Sequence, residues 1–85
     1  MNTRFTIGAA KEVLGEWIAK GHLRRPLEEY SHVGTIWQEV GLSSGHRRVM
    51  ATFLTEQAAN AWLKNQPRYL KAKTHELHEH VGEAP

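Results

Sequence analysis

The stretch VMATFLTEQAANAWL, residues 49–63, decides the fold. Its first part sets Val49, Ala51 and Phe53 at every second position, the period of a β-strand. At Thr55 the period changes. The threonine is suited to cap a helix, Glu56 favours the positive end of the helix dipole, and Ala58, Ala59, Trp62 and Leu63 then recur at helical spacing. A strand that feeds a helix through so short a turn returns the helix over its own sheet, which makes this an α+β chain.

Working outward towards the N-terminus, residues 33–40 alternate Val33, Thr35 and Trp37 on one face with Ile36 and Val40 on the other. Leu42, Ser43, Ser44 and Gly45 have turn composition, so this strand and residues 47–54 form a hairpin. On the second strand Val49, Ala51 and Phe53 share a face, with Met50 and Leu54 opposite. Both faces of the hairpin are therefore apolar, and helices on one face alone would leave the other to be covered by a second copy of the chain.

Further back, Ile7, Ala10, Leu14, Trp17 and Ile18 predict a helix over residues 8–20, stopped by Gly21, with a short first strand at residues 3–7 carrying Phe5 and Ile7. Residues 22–32 form the longest loop, broken by Arg24, Arg25 and Pro26, with one helical turn at 27–30. On the C-terminal side Pro67 opens a further helix in which Leu70, Thr74, Leu77 and Val81 share a face up to Gly82, with a final strand as the competing reading of this segment. The expected order is β-α-β-β-α-α, a ferredoxin-like antiparallel sheet in a single domain spanning residues 1–85.

The hairpin at 33–54, the segment FLTEQAANAWL at 53–63, the QPRYLKA step and the ending HVGEAP resemble small members of the dimeric α+β barrel superfamily, which includes antibiotic-biosynthesis-type monooxygenases and stress-responsive barrel proteins. The resemblance implies a ferredoxin-like protomer whose sheet pairs with that of a second copy to close a barrel. It also implies a cavity between sheet and helices that takes an aromatic or apolar molecule. The matched positions are packing positions, so no catalytic residue carries over and the resemblance leaves open whether the chain is also an enzyme.

Composition narrows the chemistry. A chain of 85 residues builds one small core, and self-association would enlarge it. The absence of cysteine excludes disulfides, thiolate nucleophiles and sulfur ligands for zinc. Every acidic residue is glutamate, which makes magnesium sites and Ser-His-Asp triads less favoured. A formal charge of +2 is too small to argue for nucleic acid or membrane partners. There is neither a signal-peptide pattern nor a membrane-length apolar run, and the expected location is cytoplasmic.

The candidate ligand-binding residues are Trp17, Trp37, Trp62 and Tyr69, as the apolar lining of one cavity, with His32 near the strand entrance as a candidate acid or base. The bland alternative is that the rings are simply core. The run His75-Glu76-Leu77-His78-Glu79-His80 would place imidazoles and carboxylates on one helical face, but it lacks the HExxH spacing and reads as a solvated surface, so neither metal nor cofactor is assigned. Arg24 and Arg25 in the loop and Arg47 and Arg48 after the turn offer an alternative function, a nucleic-acid- or protein-binding module built on a basic hairpin.

Overall fold

The computed structural model describes residues 5–78. Helix α1 spans Ile7–Ala19, strand β1 His32–Glu39, strand β2 Gly45–Phe53, helix α2 Glu56–Lys64 and strand β3 Lys73–Glu76, with single 3-10 turns at Leu27–Glu29 and Arg68–Leu70. The three strands form one antiparallel sheet in the order β2-β1-β3, so among the described residues β1 is central and both other strands are edges. The chain is thus a mixed α+β structure. No helix among the described residues is long and apolar enough to cross a membrane.

The strand-to-helix junction forms as its residues dictate. Thr55 is extended and its hydroxyl accepts from the Ala58 N–H at 3.1 Å, which satisfies one of the orphan donors of α2. Thr6 does the same for α1, accepting from Ala9 at 3.0 Å, and Gly21 takes a positive φ of 81° just past the helix end.

Two elements differ from the sequence expectation. Phe5 and Thr6 are not in a strand and Ile7 already belongs to α1, because the Thr6 cap starts the helix where a strand was expected; Thr3 and Arg4 lie outside the described residues. The expected helix from Pro67 onward is instead a 3-10 turn followed by β3, so the competing reading prevails. Lys71 breaks the helical path by adopting left-handed φ and ψ of 48° and 46°, and Lys73–Glu76 then pairs with the open edge of β1. That pairing satisfies backbone groups that a solvent-exposed helical turn would not engage on the sheet.

The register of the hairpin also departs from strict alternation. Gly34 pairs with Ala51 but Thr35 pairs with Val49, leaving Met50 as the extra residue of a bulge. Val49 is therefore opposite Thr35 on one face, while Ala51 and Phe53 are opposite Gly34 and His32 on the other. The expected shared face of Val49, Ala51 and Phe53 is split by one inserted residue.

Each face carries one helix. Ala10 and Leu14 of α1 are fully buried with Val33, Val49, Tyr30 and Leu77 in the main core, fringed by Phe5, Val13, Trp17, Leu23 and Leu27. On the opposite face α2 lies across all three strands, buries Ala59 and seats the Trp62 ring on Gly34. A Cβ at Gly34 would come within 2.7 Å of that ring, so only glycine allows the approach. Helix α2 thus covers part of the sheet face expected to await a second copy, while Val40, Met50 and Leu54, read for that face, stay exposed.

Candidate functional site

The candidate site lies where α1 meets β2. One wall is a single helical stripe, Ala9, Ala10, Val13 and Trp17, continued by Phe5. The other wall is His46, Arg47, Arg48 and Val49. Four consecutive strand residues alternate between faces, so they border one groove together only along the backbone edge of the strand. The groove encloses about 470 Å³, within the range of ligand sites, and none of its lining residues is acidic.

Beneath it is a polar cluster inside the α1 face. Thr35 is fully buried; its hydroxyl accepts from the Arg47 guanidinium at 3.1 Å and lies 3.0 Å from His75 Nε2. Arg47 also donates to the Lys71 carbonyl at 3.0 Å, which ties the left-handed turn before β3 to the far strand of the sheet. Since Arg47 is a donor only, the Thr35 hydroxyl proton is available to His75 Nε2, which favours the neutral ring with its proton on Nδ1. Burial pushes the His75 pKa down, and the positive charges of Arg47 and Lys73 push it further. The Phe5 ring covers the imidazole, with centroids 4.6 Å apart. Burial also lowers the Arg47 pKa. Thr35 and His75 set a hydroxyl beside a base, but Thr35 is fully buried and its oxygen is also held by Arg47, so the polar atoms of the cluster satisfy one another.

The sequence-predicted site residues do not meet in one cavity. Trp17 lines the α1–β2 groove. Trp62 packs on Gly34 and against Phe53, ring centroids 5.6 Å apart, on the opposite face. Trp37 and Tyr69 border a separate depression with Ile36, Met50, Leu70 and Arg48, where Tyr69 is 78% exposed. His32, at the far end of β1, bonds the Ser31 hydroxyl through Nδ1 at 2.8 Å and faces an acidic hollow bordered by Glu28, Glu29, Glu56 and Glu76.

The other groups are dispersed as well. With residues 73–76 in a strand, the helical face expected to join His75 and His78 does not form: His75 is bound to Thr35, and His78 contacts the Leu27 carbonyl at 3.3 Å. Glu79 and His80 lie outside the described residues. The two arginine pairs are separated too. Arg25 is paired with Glu29 at 2.9 Å near the His32 end, Arg47 is held by Thr35 and Lys71, and Arg48 is exposed across from Ile36.

No family model, curated protein or solved structure matches this chain.

Proposed function

We propose that the chain is a small binding protein whose ligand occupies the α1–β2 groove, an apolar or aromatic body carrying a negative charge. The observation that carries this reading is the lining itself: an apolar helix stripe ending in Trp17 borders the β2 edge that carries His46, Arg47 and Arg48, and no lining residue is a carboxylate. Apolar walls supply burial, and the few polar groups orient the ligand. The polar cluster below it is spent on holding β1, β2 and β3 together, so binding rather than turnover suits the groove.

The ferredoxin-like reading has support in topology. Strands β2 and β3 both run antiparallel to β1 and flank it, so β2-α2-β3 is a split β-α-β unit of the kind found in ferredoxin-like sheets. The basic-hairpin alternative is weaker here, because Arg47 and Arg48 project to opposite faces and Arg25 is paired with Glu29.

Calorimetric titration with naphthalene-2-acetate tests the function. The parent chain should bind, and Ala9→Glu should abolish binding while leaving the fold intact, since Ala9 is exposed on α1 yet lines the groove. Equal binding by the variant, or none by the parent, counts against the groove.

A further inference from the structure

We propose that the natural occupant of the groove is an extended acidic peptide segment of a partner protein that adds a fourth strand, antiparallel, to the outer edge of β2. The inference rests on the groove being the binding site and specifies what fills it. Three observations lead to it.

First, β2 is an edge of the sheet, with no strand on its outer side among the described residues. The Val40 N–H bonds the Ser44 carbonyl at 3.1 Å, which fixes the phase of the ladder. Pairs 38/46 and 36/48 are then the bonded ones, so Arg47 and Val49 turn their N–H and C=O groups outward into the groove. The groove wall thus consists of strand edge with no partner strand among the described residues, the surface that strand addition uses.

Second, the length fits. The bulge at Met50 ends the regular stretch that starts at Gly45, leaving five flat residues, of which four border the groove. At roughly 3.3 Å per residue this accommodates a peptide of about five residues. Alternate side chains of such a strand would face the α1 stripe of Ala9, Val13 and Trp17, which supplies pockets for apolar groups.

Third, charge selects the occupant. A second copy adding through its own β2 would set Arg47, Arg48 and His46 against the same residues, and like charges directly opposite disfavour the pair. A segment alternating apolar and acidic residues meets those groups favourably, and no acid in the groove repels it.

The test is selection of random dodecapeptides displayed against the full chain, with Ala9→Glu as counter-screen. Enriched peptides should alternate apolar and acidic residues. Each is then remade with alternate backbone amides N-methylated, in both phases. One phase should weaken binding by about tenfold, the scale of one or two lost backbone hydrogen bonds, and the other should leave it nearly unchanged. In hydrogen exchange, the Arg47 and Val49 amides should gain protection on binding.

Indifference to N-methylation in both phases, failure to enrich any peptide over the counter-screen, or a chain dimer paired through β2 that the peptides leave intact would each overturn the proposal. If naphthalene-2-acetate still binds in a groove that rejects every peptide, strand addition fails while the groove survives as a small-molecule site; if neither binds, both fail.

Discussion

The two faces of the sheet are covered by helices of comparable design and yet end differently. Helix α2 crosses all three strands and presses Trp62 onto Gly34, a contact in which a ring replaces a missing side chain. Helix α1 buries Ala10 and Leu14 but leaves Ala9, Val13 and Trp17 bordering a groove at the β2 edge. Beneath α1 the sheet also carries a buried polar cluster, whereas under α2 the Phe53 and Trp62 rings meet. The difference teaches that cover and site are separate uses of a helix. One seats its ring against the backbone, and the other leaves beside it the groove that we propose as a ligand site.

The largest effect that would break this contrast is at Trp62. Trp62→Ala should cost about 3 kcal/mol, read as a lowered denaturation midpoint, because it strips the cover from one face. Gly34→Ala should cost about 1 to 3 kcal/mol through the clash with the ring, and much less in a Trp62→Ala background, where the ring is gone. An additive double mutant would mean that the two residues do not meet.

On the other face, Thr35→Val should cost about 1 to 3 kcal/mol, since Arg47 and His75 both lose their shared hydroxyl partner. A smaller effect concerns pH. The His75 pKa is depressed in the folded state, so the unfolded chain binds the extra proton and protonation favours unfolding. Stability from this group is complete above about pH 6.5 and is lost as pH falls through the lowered folded value. Urea denaturation across that window should show the decline in the parent and a reduced slope in His75→Gln. Smallest, Thr6→Ala should cost about 1 kcal/mol by uncapping α1.

Much of the architecture was legible because local chemistry and tertiary need agree at the junction. Thr55, Glu56 and the Ala58-Ala59-Trp62-Leu63 stripe specify cap, dipole and cover in one short segment, and α2 begins at Glu56. Periodicity failed where a single residue changes phase. Met50 is apolar like its neighbours, so nothing in its identity announces a bulge, and the faces of Ala51 and Phe53 were exchanged as a result. At the C-terminal side, Leu70, Thr74 and Leu77 fit a helix as well as Lys73, His75 and Leu77 fit a strand, and only the open edge of β1 decides between them.

The candidate site was less legible for the same reason. Trp17 belongs to it, but the other aromatic rings were grouped by type, whereas alternation along β1 and the two helices distribute them over both faces. The Arg47–Thr35–His75 cluster depends on β3 being a strand and had no signal of its own while residues 73–76 were read as a helix.

The central claim is that the groove between α1 and the β2 edge takes the ligand, and not the face on which α2 seats Trp62 over Gly34, and amide chemical-shift mapping during titration with naphthalene-2-acetate tests it most directly. Shifts concentrated at Ala9, Val13, Trp17 and residues 46–49, with Gly34 and the Trp62 indole unchanged, are the predicted result. Shifts centred on Trp62, or on Trp37 and Tyr69, would contradict the account and return the site to the tryptophans that the sequence first singled out.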